Sequence, residues 1–223
     1  MGKTQICGAG VVLGFFALQA SATVITFTGG NVTRLDTSVQ TTNNTVVWDD
    51  VDYYEEGGYR LDFLPNAGSG GFATHVGNYY PAFNDVIHSH WATGNYGGVM
   101  SVEITKVGGG PFDLNYFILT SNTSVGGGLA TGTEMAFIEG FNTNVSTGAA
   151  LLLPSEDWGF PATQIFLGPA FDNVDKVVFN VQSPVDCFGM DEFYINEEFP
   201  EPGSAGLLVG ALGIIGLRRR PRT

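Results

Sequence analysis

Hydrophobic and polar residues alternate with a period of two along most of this chain, and helical periodicity is scarce. Ile25 and Phe27 alternate with Val24, Thr26 and Thr28; Tyr59, Leu61 and Phe63 with Arg60 and Asp62; Val102 and Ile104 with Ser101, Glu103 and Thr105. Phe112, Leu114 and Tyr116 alternate with Asp113 and Asn115, and Ile165 and Leu167 with Gln164. Later, Val177, Phe179 and Val181 share one face, as do Phe193 and Ile195. Successive side chains of an extended chain point to opposite faces, so each run predicts a strand with one face inward and the other in water. Glycine-rich stretches at Gly68 to Gly71, Gly108 to Pro111 and Gly126 to Gly128 separate the runs and mark turns. About eight to ten such strands predict an all-β chain, an antiparallel β-sandwich of the jelly-roll type.

The two ends break this pattern. Residues 1–22 read as a helical secretory signal peptide: Lys3 supplies the positive end, Ala9 to Leu18 the apolar region, and Ala20-Ser21-Ala22 the small-residue cleavage pattern, so that cleavage after Ala22 leaves Thr23 first. The apolar run is too short for a permanent anchor. At the other end, residues 199–223 begin with Pro200-Glu201-Pro202, where prolines remove backbone donors and force their predecessors to be extended, ending the folded domain. An uncharged apolar block from Gly203 to Leu217 follows, then Arg218, Arg219, Arg220 and Arg222. As a helix this block spans about 22 Å against a hydrocarbon core of roughly 30 Å. Arginines that snorkel to the interface extend it, and the positive-inside rule keeps them on the cytoplasmic side. Residues 23–198 are left as one domain outside the cytoplasm.

The order of Pro-Glu-Pro, apolar block and arginine run resembles the PEP-CTERM sorting signal of Gram-negative bacteria, over the last 25 residues. The resemblance implies an exported protein held in the inner membrane until an exosortase, a membrane transpeptidase, removes the tail and passes the body to the cell surface or extracellular matrix. It also implies a setting of exopolysaccharide and biofilm. An ordinary C-terminal anchor that is never cut would place the body on the same side.

Charge narrows the partners. Without leader and tail, 21 acids face only Arg34, Arg60, Lys106 and Lys176, a net charge of about 17 negative. That balance argues against nucleic acid, whose binding needs cationic contacts to phosphate, and it would repel uronate-rich polysaccharide unless divalent cations intervene. Cys187 is the only cysteine outside the leader, so the body holds no internal disulfide.

A second resemblance lies in the body. Tyr54 to Tyr59, Gly109 to Leu114, Phe171 to Phe179 and Phe188 to Phe193 are similar to landmarks of galactose-binding-like and carbohydrate-binding-module-like jelly rolls. In those domains an acid of the final strand helps to hold a structural Ca²⁺, which implies that role for Asp191 in Asp191-Glu192-Phe193. The acid expected on the first strand is missing, since the chain reads Thr26-Phe27-Thr28.

Other constellations carry weaker chemistry. His88-Ser89-His90 has the i, i+2 spacing of two ligands on one strand face, with His75 and Asp85 as further ligands. The alternation instead puts Ile87 and Trp91 inward and leaves the histidines outside. Asp49, Asp50, Asp52, Glu55 and Glu56 form a dense acidic run without EF-hand spacing, and read as a solvated loop or strand edge. No nucleophile elbow, zinc-protease helix or phosphate-binding loop is present, and no catalytic residue is assigned. Exposed rings can stack on the apolar faces of sugars, and Tyr79, Tyr80 and Tyr96 lie in loop-like sequence where they would serve this way. The chain therefore reads as an exported, non-catalytic surface or matrix protein that contacts polysaccharide. A polysaccharide-active enzyme and a structural surface protein without a sugar ligand are the alternatives.

Overall fold

The alternating runs pair into two antiparallel sheets packed face to face over a single hydrophobic core. The computed structural model describes residues 21–65, 74–80, 84–90, 99–182 and 184–197. The expected signal helix through Ala20 and the expected tail helix, with Pro200, Glu201, Pro202, Arg218, Arg219 and Arg220, lie outside these residues.

Numbered in chain order, one sheet runs β14 (Thr163–Phe166), β10 (Leu114–Thr123), β16 (Cys187–Ile195), β8 (Asn84–His90), β7 (Thr74–Tyr80) and β4 (Val47–Trp48), with β1 (Thr23–Ile25) also beside β16. The other runs β12 (Val145–Ser146), β11 (Met135–Asn142), β15 (Lys176–Gln182), β9 (Val99–Lys106), β6 (Tyr59–Pro65), β5 (Val51–Glu56), β2 (Asn31–Arg34) and β3 (Val39–Thr41), with β13 (Leu151–Leu152) also on β11. Sixteen strands among the described residues exceed the expected eight to ten because seven of them, β1 to β4 and β12 to β14, have four residues or fewer. Such pieces are too short to show a period.

The inward faces follow the alternation. Ile25, Phe27, Leu61, Phe63, Val102, Ile104, Val177, Phe179, Phe193 and Ile195 are all buried. Phe193 meets Phe27 at 5.8 Å and Phe117 at 5.6 Å between ring centroids, and reaches across to Phe179 of the facing sheet at 5.9 Å. Tyr116 departs from its expected inward phase. Between Leu114 and Tyr116 the register of β10 against β16 shifts, a bulge that inserts Asn115 and turns Tyr116 to the outer face, after which Phe117 and Leu119 point inward.

Two carboxylates, the half-buried Glu56 and the buried Glu134, fasten the irregular segments. Glu56 accepts hydrogen bonds from the backbone of Thr26 (3.1 Å) and Phe27 (2.8 Å) and from the Tyr54 hydroxyl (2.7 Å). This holds Phe27 at φ 58, a left-handed conformation that a bulky residue rarely adopts. Glu134, 4% exposed, accepts from the backbone of Ser124, Thr131, Gly132 and Thr133 and from the hydroxyls of Thr131 and Ser155, all between 2.6 and 3.0 Å. Cys187 is buried and unbridged, and burial pushes its thiol up to about 11.

Burial alone would raise the Glu134 carboxyl, but its donors outweigh that effect and hold it far below the usual carboxylate range. Glu134→Gln is expected to destabilise the fold by about 2 kcal/mol at neutral pH, because donors are left without an acceptor. The folded-state pKa is depressed, so this stabilisation is present above the ordinary carboxylate pKa and is lost as pH falls below it. Denaturant titrations across that range should show the gap between wild type and variant narrowing in acid.

Candidate functional site

Register fixes what the outer face of the second sheet presents. Phe141, Lys176, Thr105, Arg60 and Glu55 lie opposite one another in one row across β11, β15, β9, β6 and β5. The next row is Glu139, Val178, Glu103, Asp62 and Tyr53, and a third places Phe137 opposite Asn180 and Asn180 opposite Ser101. Cations of the first row neutralise acids of the second. Lys176 Nζ stands 3.4 Å from Glu103 and 5.4 Å from the centre of the Phe141 ring. Arg60 binds Asp62 at 2.6 Å and covers the Tyr53 ring at 3.6 Å. The hydrogen bond that the guanidinium donates to Asp62 raises its pKa further.

Where β11 and β15 run side by side the face hollows into a cleft of about 340 Å³, within the range of small-ligand sites. Phe137 and Phe141 stand at its two ends on β11, four residues apart, with Glu139 between them on the same face. Val178, Asn180 and Gln182 of β15 form the floor, and Ala150 closes one side. Among the described residues the side chains of Glu139, Asn180 and Gln182 make no hydrogen bond or ion pair. The wall owes its position to the hairpin between β11 and β12, where Thr143 and Asn144 both take positive φ, and to Thr147, whose hydroxyl donates to Ala170 O at 2.5 Å. Gly140 allows that approach: a Cβ there would come within 2.6 Å of Ala170 O and 2.7 Å of Thr147 Oγ1.

The outer face of the first sheet carries a different feature. Tyr116 and Tyr194 stack at 3.9 Å and 14°, Phe166 leans on Tyr116 at 5.2 Å, and the Tyr194 hydroxyl donates to Glu192. Burial raises the Tyr116 pKa, and burial together with the Glu192 bond raises that of Tyr194. The rings pack on each other across β14, β10 and β16, with Phe166 at the edge of the stack left 60% exposed.

The residues singled out from sequence scatter. Tyr79 and Tyr80 end β7 rather than lying in a loop, with Tyr80 opposite Asn84 of β8; Tyr96 and His90's neighbour Trp91 lie outside the described residues. Asp191, 3% exposed, sits in β16 opposite Ile118 at a second register shift, and its Oδ1 accepts the Glu192 N–H at 2.8 Å. Among the described residues no three His, Cys, Asp or Glu side chains converge as a metal site. His88 is fully buried and paired with His75 across the strands, and His75 bonds Asp49. The acidic run is largely β5 and its approach, with partners for several of its members: Asp50 near Arg34 (3.8 Å), Glu55 near Arg60 (3.9 Å), and Glu56 in the Phe27 turn. Ala22 immediately precedes β1, and Thr23 pairs with Ile195, so both ends of the body emerge side by side. No helix among the described residues is long and apolar enough to cross a membrane.

No protein-family model matches the sequence, and no curated protein matches it. Among solved structures, the K1 cleaved adhesin domain of Lys-gingipain from Porphyromonas gingivalis W83 is similar over 81% of this chain and 100% of that chain, with 15% identity and a TM-score of 0.35. An F5/8 type C domain from Bacteroides fragilis is similar over 66% of this chain and 97% of that chain, with 11% identity and a TM-score of 0.33. At these scores neither likeness bears on a ligand or an activity.

The two outer faces can be separated experimentally. Tyr194→Ala is expected to lower stability by about 1 to 2 kcal/mol through loss of the stack, read as a shifted denaturation midpoint. Any ligand of the β11–β15 cleft should bind this variant unchanged.

Proposed function

We propose that this chain is an exported, non-catalytic β-sandwich of the cell surface or extracellular matrix that binds polysaccharide in the cleft on β11 and β15. The single observation behind this reading is the cleft itself, two phenylalanine rings flanking a carboxylate and two side-chain amides whose polar atoms are not engaged by the protein. Rings offer apolar faces to the C–H surface of a pyranose, and acceptors and amide donors between them suit its hydroxyls. The sequence features at both ends supply the address: the leader ending at Ala22 and the Pro200-Glu201-Pro202, apolar and Arg218-Arg219-Arg220 tail suit export followed by exosortase processing. The adjacency of Thr23 and Ile195 fits such a route, because leader and tail would then leave the body at one edge.

Affinity electrophoresis of the full-length chain through gels containing individual polysaccharides tests the binding. Retardation by at least one polymer is expected, with Phe137→Ala and Phe141→Ala each weakening it about tenfold; migration unaffected by every polymer would end the binding reading. The address has a separate test in mass spectrometry of the protein from its native host. The surface form should begin at Thr23 and lack Arg218 to Thr223, and a mature surface form retaining Thr223 would defeat the processing reading.

A further inference from the structure

The polysaccharide reading leaves the chemical class of the sugar open, and the cleft's own charge pattern narrows it. At one end, Phe141 and Glu103 receive an ammonium from the protein: Lys176 lies over the ring at 5.4 Å and against the carboxylate at 3.4 Å. Two rows along the same strands, Phe137 and Glu139 offer a ring and a carboxylate again, but the residue opposite Phe137 is Asn180 and the one opposite Glu139 is Val178. All four basic residues of the body lie on this sheet, at Arg34 of β2, Arg60 of β6, Lys106 of β9 and Lys176 of β15. Lys176 is engaged by Glu103, and Arg60 by Asp62 and the Tyr53 ring. Glu139 is the carboxylate of the cleft; Lys176, diagonal to it across β11 and β15, is held on Glu103 instead, and among the described residues no cation pairs with Glu139. It stands half-buried between two rings, where a charge–charge contact is screened less than on open surface.

We infer that the cleft selects a glycan bearing protonated amino groups, a hexosamine polymer with free amines, and that Glu139 together with the Phe137 ring receives the ammonium. This rests on the polysaccharide reading above and adds its charge class. An ammonium gains from a carboxylate and from the face of an aromatic ring at once, and Lys176 already shows that geometry within the same face. A neutral N-acetylated sugar would meet the same rings and amides but would leave Glu139 without a charged partner. A uronate would place its carboxylate against Glu139 and Glu103, with Lys176 already taken.

The test uses the full-length chain in a sugar-free detergent and three soluble probes: glucosamine oligomers with free amines, their fully N-acetylated counterparts, and uronate oligomers, with affinities from calorimetry. Glucosamine oligomers should bind the wild type roughly tenfold more tightly than the acetylated form, and raising salt should erode that preference. Glu139→Gln should remove the preference, bringing the affinities for the amine and acetylated oligomers within about twofold of each other. Asn180→Lys, at an exposed position, should supply an ammonium from the protein opposite Phe137 and likewise abolish it. Equal affinity for amine and acetylated oligomers, tighter uronate binding, or a Glu139→Gln variant that keeps the preference would each overturn this inference while leaving sugar binding standing. Silence toward all three probes would overturn this inference, and the polysaccharide reading would fall with it only if every polymer in the electrophoresis is silent too.

Discussion

The contact on which the molecule depends is the interlock of Phe193 with Phe27, Phe117 and Phe179. It joins the turn just after the first strand of the body, the adjacent strands β10 and β16 of one sheet and β15 of the other. Each such ring contributes about 1.5 to 3 kcal/mol when fully buried, and all four are less than 2% exposed. Since β16 pairs with β10 along one side and with β8 and β1 along the other, the first sheet cannot be completed before residue 195 is present. The pairing of Thr23 with Ile195 makes the fold one of long-range contacts, closed by its last strand.

A core fastened this way leaves the outer faces to be used differently. The first sheet covers part of its outer face by stacking Tyr116, Tyr194 and Phe166 on one another, and none of its strands carries a lysine or arginine. The second sheet holds all four basic residues and sets them among carboxylates row by row. Cross-strand pairs of like charge, such as Glu103 opposite Asp62, would be unfavourable alone. Lys176 and Arg60 in the neighbouring row relieve that repulsion, and the aromatic rings of Phe141 and Tyr53 steady the two cations.

Much of this architecture was legible in the sequence, and the exceptions have physical causes. The phases of β6, β9, β15 and of Glu192 to Ile195 in β16 follow simple alternation because there each strand separates a core from water, so polarity tracks direction. Tyr116 defeats that logic because the bulge at Asn115 adds a residue, and no period of two survives an insertion. The cleft escaped for the opposite reason: in Ala136-Phe137-Ile138-Glu139-Gly140-Phe141 both phases are largely apolar, so no contrast marks Phe137 and Phe141 as outward. Glu134 and Glu56 were two acids among many, since a carboxylate that gathers backbone N–H groups is defined by how distant loops return to it. Tyr79 and Tyr80 read as loop because Pro81 follows them, yet they close β7.

Net charge and local charge make separate statements about a ligand, and the cleft shows why both are needed. The body's excess of carboxylates disfavours any polyanion at long range, but beyond about 8 to 10 Å that field is screened at physiological salt. Within that distance of Glu139 what counts is pairing. Glu103 is matched by Lys176 and Asp62 by Arg60, so these acids add little to the potential a bound sugar would feel. Among the described residues Glu139 is not matched, and the rings beside it limit the water that would otherwise hydrate it. Under the proposed reading, an overall acidic composition would separate uronates from other glycans, whereas the distinction between a neutral and a cationic sugar would fall to one carboxylate, and to the asparagine that stands two rows along β15 from the lysine.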